Sequence, residues 1–416
     1  MGEQVKKGSM VLLLGLAGFM VMADNWVISP LLPAIAKSLN VGIPTAGLLI
    51  TAYMVPFGIC QIVFGPLADR YGKKQVITLA MVMFTIATGL CALGTGMVSV
   101  ALYRALTGIF AASVMPISFA LIGEIFPIQE RQQAIGTFIG IAFLGQGLSM
   151  AVGGTISYLF NWQSVFLAYA LLSLIPTALL LKNYRRIPSQ RNPHSDVFRP
   201  YLRLISTGQS FCTYLVIVLE GGFIIGSFSY GGSYIAELHH LSTLGIGMIM
   251  TGFGIMSVIG GRVSGKLSNR IGPVWVLRAG LLLAATGDLV IYFLGASLLA
   301  VSLGIAMLGL GFIFTHSTLV TMATEFARQA RGAAMSLVAF CFMGTGGVAT
   351  AIGGRLIASY GTASVFSMYG AGLVATLMIS CLLIQAEGRA TGSQYDEVVN
   401  AVTKSGEAGS AIEHGN

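Results

Sequence analysis

Residues 65–72 read "GPLADRYG" and residues 265–272 read "GKLSNRIG". The two octets share glycine at both ends, leucine in third place and arginine in sixth, and they lie 200 positions apart. The same offset carries Arg131 onto Arg331, Gly153 and Gly154 onto Gly353 and Gly354, and "SVFLAY" (164–169) onto "SVFSMY" (364–369) without a gap. A chain that repeats itself in one register over such a distance is a duplication. Two copies of the same hand require an even number of membrane crossings in each.

The composition identifies the solvent. Hydrophobic residues make up 55% of 416 and mean hydropathy is +0.82, more apolar material than one water-soluble core can hide. Runs of roughly 20 apolar residues, enough to span hydrocarbon at 1.5 Å per residue, recur twelve times. The first six run near Met10–Ala36, Pro44–Ala68, Gln75–Leu93, Val98–Ile122, Arg131–Tyr158 and Ser164–Leu181. The second six run near Ser210–Glu237, Leu244–Leu267, Val274–Leu294, Leu298–Thr324, Gly332–Ser359 and Ser364–Gln385. The expectation is an all-α integral membrane protein, with twelve transmembrane helices in two pseudo-symmetric six-helix bundles. Residues 1–181 and 210–385 form the bundles, 182–209 a basic cytoplasmic linker and 386–416 a polar, disordered tail. A β-barrel is excluded, because the runs lack alternation between lipid-facing and lumen-facing positions.

Net charge is +8, but position says more than sum. If the amino terminus is cytoplasmic, all of the 23 Lys and Arg except Lys37, Arg104 and Arg355 fall inside or at the inner boundary. That bias places both termini in the cytoplasm of a multi-pass inner (plasma) membrane protein and speaks to anionic lipid, not to nucleic acid. Lys6, Lys7 and the following apolar run imitate a cleaved signal peptide, yet removing them leaves the first half one helix short. Cys60, Cys91, Cys212, Cys341 and Cys381 are scattered without paired spacing, so no disulfide framework or metal site is implied. "GGRVSGKL" (260–267) nearly spells a phosphate-binding loop, but it ends in leucine and no strand precedes it. No nucleotide and no enzymatic triad or metal motif is expected. Within the linker, Phe198, Tyr201, Leu202 and Ile205, with Arg199 and Arg203, fit a short helix on the membrane surface.

The stretch "GPLADRYGKK", Gly65–Lys74, matches the loop signature Gly-x-Leu-Ala-Asp-Arg-x-Gly-Lys-Lys of the major facilitator superfamily at every fixed position. With the twelve-span duplication, the chain resembles that family from about Met10 to Gln385. The resemblance implies a gating loop built from Gly65, Asp69, Arg70, Gly72 and Lys73, with Arg270 in the second copy. Gly65 and Gly72 suit close helix approach and a sharp turn, and Asp69 can cap or pair with a neighbouring helix end.

Three further stretches resemble the proton-coupled drug antiporters of that family. "RALTGIFAA" keeps Arg104, Gly108, Ala111 and Ala112 of the fourth-helix motif but departs at Thr107 and Phe110. By that resemblance Arg104 is implicated in proton coupling; otherwise it is an arginine snorkelling to the outer surface. Gly136, Gly145, Gly153 and Gly154 keep the spacing of the fifth-helix motif, with Ser149 and Met150 in place of its Gly-Pro; they also suit plain helix packing. "DNWVISPLLP", Asp24–Pro33, resembles the first-helix signature, and Pro30 and Pro33 should bend or break that helix.

Asp24 lies about 21 Å along the first helix and Glu220 about 15 Å along the seventh. A charge at mid-depth in a membrane marks work or a partner. The expectation is one carboxylate per half facing a central cavity, with Asp24 the first and Glu220 the second choice for the proton-coupling acid. Each is structural instead if it is permanently paired, as Asp24 would be with Arg104. Asp288 is a weaker candidate, and His316 is either a proton relay or a satisfied lone histidine. Glu124 and Glu325 read as capping or inter-helix partners. Asn25, Gln61, Gln146, Tyr53 and Tyr230 are candidate cavity residues. The favoured function is alternating-access export of small amphipathic or cationic compounds, driven by a proton gradient with no cofactor. A monomer suffices for this. Proton-coupled import of a small metabolite is the alternative, and a membrane receptor or assembly factor using the same fold without transport is a third reading.

Overall fold

The computed structural model describes residues 7–188, 199–206, 208–325 and 331–384. The tail from Ala386 and Phe198 of the linker lie outside them. The first half comprises α1 (Lys7–Trp26) continued by α2 (Ile28–Ser38), α3 (Ile43–Tyr71), α4 (Lys73–Ala92), α5 (Met97–Ala111) continued by α6 (Val114–Ile125), α7 (Ile128–Leu159) and α8 (Trp162–Asn183). A short helix, α9 (Arg199–Ser206), follows. In the second half α10 (Gly208–Glu220) passes through a π-helical turn, Gly221–Ile225, into α11 (Gly226–His239). Then come α12 (Thr243–Ile271), α13 (Pro273–Leu294) and α14 (Leu298–Glu325). Finally α15 (Arg331–Ala339) passes through a second π turn, Phe340–Gly344, into α16 (Thr345–Tyr360), and α17 (Ser364–Leu383) closes the bundle. Twelve helices among the described residues are long and apolar enough to cross a bilayer.

Proline explains two of the interruptions. Pro30 has no N–H to give the Trp26 carbonyl and Pro116 none to give that of Ala112, so the helix breaks between α1 and α2 and between α5 and α6. The bend expected at Pro30 and Pro33 thus falls four residues early. The two π turns have no proline and overlap glycine-rich sequence, "EGGF" (220–223) at the start of the first and "FMGTGG" (342–347) at the end of the second. Large apolar side chains such as Leu79, Leu102 and Leu382 clothe the outside, as hydrocarbon solvent allows.

The duplication survives in backbone detail. Asn40 and His240 both adopt left-handed φ, 52° and 50°, and Gly72 and Gly272 turn with φ 106° and 90°. Tyr169 donates to the Ser149 carbonyl at 2.9 Å and Tyr369 to that of Ala349 at 2.5 Å. The Gly72 and Gly272 turns mark one face of the molecule, and the Asn40 and His240 turns the other.

Three crossings join the halves, α7 with α12, α3 with α16 and, near the Asn40 face, α2 with α11. In one, α7 and α12 meet glycine on glycine, Gly147 against Gly254 and Gly154 against Gly247, so that the backbones touch. In its counterpart, α3 against α16, the hydroxyl of Tyr230 occupies the space between Gly47 and Gly354 and donates to the Thr350 carbonyl at 2.7 Å. Near the Asn40 face the seal is tightened by Ser29, whose hydroxyl lies 2.9 Å and 3.0 Å from the carbonyls of Phe228 and Ser229.

Helix α9 lies against the bundle by Tyr201 and Leu204, and Tyr201 donates to the Ile62 carbonyl at 3.1 Å. Leu202 and Ile205 face outward as a surface helix requires, whereas Tyr201 is turned inward.

Candidate functional site

A cavity of about 710 Å³ lies between the halves. Its deep end is formed by Met22 and Trp26 of α1 and its walls by α3, α6, α7, α12, α14 and α15. Exposed Gly136, Thr137, Gly261 and Arg262 rim it towards the Gly72 face. The crossings described above close the Asn40 face.

Neither Asp24 nor Glu220 lines this cavity. Both are wholly buried, one layer behind the wall, where the sequence led us to expect them on it. Asp24 Oδ2 accepts from Arg104 Nη1 at 2.7 Å, and both side chains are 0% exposed. The guanidinium lies over the Tyr53 ring at 4.2 Å and within 5.6 Å of the Phe166 ring centre. Arg104 therefore does not snorkel; it is held in the first bundle by a counter-ion and two aromatic faces.

Glu220 sits in the second bundle in a different setting. Thr315 donates to its Oε1 at 2.7 Å, and His316 Nδ1 lies 3.4 Å from Oε2. His316 itself is on the cavity wall, 5.2 Å from the Phe312 ring and 4.4 Å from that of Phe342. The glutamate is thus one side chain away from the cavity, and the histidine is that side chain. Thr315 was not anticipated; its position beside His316 was the available signal.

Of the five candidate cavity residues, Gln61 and Gln146 line the wall and three do not. Asn25 donates to the Met343 sulfur across the halves at 3.8 Å, Tyr53 supports Arg104, and Tyr230 fills the α3–α16 crossing. Asp288 is fully buried and neither carboxylate oxygen has a hydrogen-bond partner; the nearby Ser227 hydroxyl is engaged with the Ile224 carbonyl at 3.2 Å. The aromatic tier was missed in the sequence. Trp26 stacks on Phe253 at 5.4 Å, Phe253 on Phe312 at 5.5 Å and Phe312 on Phe342 at 5.5 Å.

At the loop, Lys73 joins Asp69 at 3.0 Å to Glu124 of α6 at 2.6 Å, so the start of α4 is tied to the ends of α3 and α6. Arg70 and Arg270 are exposed and Gly65 has no close neighbour, while Gly72 makes the turn. Glu124 is the inter-helix partner expected. Among the motif glycines, Gly145 abuts the Phe19 backbone, Gly153 abuts Val27 and Gly154 abuts the Thr243 and Gly247 backbones. Gly136 does not pack a helix: a side chain there would meet nothing within 4 Å, and it borders the cavity instead.

Two six-helix bundles around one central, one-sided cavity define a multi-pass membrane transporter fold. The family model of the Major Facilitator Superfamily matches residues 14–243 and again 228–404, and the chain belongs to that family. It is 28% identical over 268 residues to the uncharacterized MFS-type transporter YceJ of Bacillus subtilis, covering 64% of this chain and 68% of that protein. It is 30% identical over 206 residues to the multidrug efflux pump LfrA of Mycolicibacterium smegmatis, covering 49% of this chain and 40% of that one. A bacterial homologue of the human lysosomal transporter Spinster, inward-facing and unoccupied, superposes with a TM-score of 0.74 at 17% identity over 92% of this chain and 96% of its own.

Proposed function

We propose that the chain is a proton-coupled carrier exporting small amphipathic compounds by alternating access, with Glu220 as the coupling acid and His316 as its relay. The observation that carries this reading is the Glu220–His316 pair, which sets one carboxylate a single proton transfer away from the cavity. Asp24, the first choice from the sequence, is committed to Arg104 and becomes a positioning charge in the first bundle.

With both termini cytoplasmic, as the distribution of Lys and Arg supports, the cavity faces the cytoplasm. A compound entering there meets Phe312, Phe342 and His316. Its apolar body excludes water from the histidine, so proton and substrate take turns at one wall. The proton gradient supplies the energy, and one chain contains the whole site. Similarity to an efflux pump supports the outward direction. Exposed Arg70 beside the Gly72 turn is placed to meet anionic lipid.

Flux of candidate compounds into inside-out vesicles under an imposed pH gradient tests the proposal. Glu220→Gln should abolish gradient-driven accumulation while preserving passive exchange, and His316→Phe should slow it. Normal accumulation in the Glu220 variant would remove Glu220 from the coupling role; loss in Asp24→Asn alone would return that role to the first bundle.

A further inference from the structure

The cavity wall is short of charge. Among the described residues no aspartate or glutamate lines it, and Arg262 is an exposed cation at its rim. The buried acids behind the wall already hold partners, Arg104 for Asp24 and Thr315 with His316 for Glu220. From mid-depth inwards, polar groups from three helices have none. The indole N–H of Trp26, the amide nitrogen of Gln61 and both amide heteroatoms of Gln146 are buried and unpartnered. These residues line the cavity and are 2%, 1% and 1% exposed. Buried amides without partners are uncommon in folded proteins, and a bound molecule that supplies the missing bonds recovers what their burial costs.

Beside them stands the aromatic tier. Flat apolar walls accept flat apolar molecules. A permanently charged ligand would surrender its hydration to a wall that offers no counter-charge.

We infer that the inner part of the cavity, from mid-depth to the Trp26 end, is a binding site for uncharged, flat aromatic compounds richer in hydrogen-bond acceptors than donors, recognised by Trp26, Gln61 and Gln146. The three N–H groups take carbonyl or ring-nitrogen acceptors, and the Gln146 carbonyl takes one donor. This names the substrate class for the transporter proposed above and rests on that reading.

The test uses the purified full-length protein and three fluorescent probes on one aromatic core, bearing a carboxamide, a trimethylammonium or a carboxylate. The carboxamide should bind at least tenfold more tightly than either charged probe. Gln61→Leu and Gln146→Leu should each weaken it roughly three- to tenfold, the loss of one hydrogen bond, without a matching loss for the charged probes. Tightest binding of the trimethylammonium probe, no binding of any probe, or unchanged carboxamide affinity in both variants would overturn the inference. The wild-type charge preference stands even if a variant fails to fold. Vesicle flux separates the two proposals: carboxamide-selective binding without gradient-driven flux keeps the site and ends the carrier reading, whereas gradient-driven flux of the cation alone does the opposite.

Discussion

Arg104 has given up water altogether, and Asp24 with it. Removing one partner strands the other, so Arg104→Met should destabilise the protein by about 3–5 kcal/mol, while the double variant Asp24→Leu with Arg104→Met should recover most of that loss. Unfolding in detergent across the four-protein cycle measures the coupling, and additive losses would show that the two charges do not depend on each other. Asp288 is the converse case, a buried carboxylate with no partner. Asp288→Asn, the same in shape and uncharged, should leave the thermal midpoint unchanged or raise it; a marked drop would mean that the charged acid has a partner in the functioning protein. Each of these charges was legible in the sequence, because a charged residue in an apolar run stands out. Their partnerships were not. Asp24 and Arg104 are 80 positions apart, and Glu220 and His316 are 96, separations that no helical period connects.

Among the helices, the spacing of glycines was readable but not their use. Gly145 and Gly136 belong to one sequence pattern, yet one faces the backbone of α1 and the other an open cavity. Gly145→Ala should lower the unfolding midpoint clearly, because the helices must separate, whereas Gly136→Ala should be neutral or slightly stabilising through helix propensity alone, by about 1 kcal/mol at most. Equal effects would mean that the α1–α7 contact is looser than described. Proline signalled helix breaks, and the break fell at the carbonyl four residues earlier, as the missing N–H requires. The π turns at Gly221–Ile225 and Phe340–Gly344 had no comparable signal. They arise where the two segments meet: Gly221 packs on the Phe342 backbone, a tertiary contact absent from either stretch alone.

At the scale of the whole molecule, the twelve spans and the duplication were legible because both are written in one dimension, as apolar length and as a constant offset. The side on which the cavity opens was not, since it depends on how two bundles lean together. Alternating access predicts that this lean reverses. In a variant with its five native cysteines replaced, Thr137→Cys should react with an impermeant thiol reagent from the cytoplasmic side and Ser29→Cys should be shielded. An outward-directed pH gradient or a saturating substrate should shift reactivity between them. Constant labelling of both under every condition would mean that the cavity never changes sides.

Two of the crossings between the halves, α7 with α12 and α3 with α16, are copies in sequence but unlike machines. Where Gly147 and Gly154 meet Gly254 and Gly247, no side chain must change rotamer for the helices to slide, so that contact behaves as a bearing. Where Tyr230 sits between Gly47 and Gly354, the Thr350 carbonyl of its own half holds the hydroxyl in the gap, so Gly47 must pass that oxygen before anything slides and the contact behaves as a detent. Part of the barrier to reversal is then lodged in this crossing, beside the Ser29 contacts that must also part. Tyr230→Phe removes that oxygen from the gap, an obstacle of about 1 kcal/mol, and should raise the rate at which Ser29→Cys becomes reactive roughly fivefold without moving the cavity wall. A rate unchanged by that single oxygen would place the barrier elsewhere. A carrier built this way has its throughput set far from its binding site, so selectivity and speed can be altered by separate mutations.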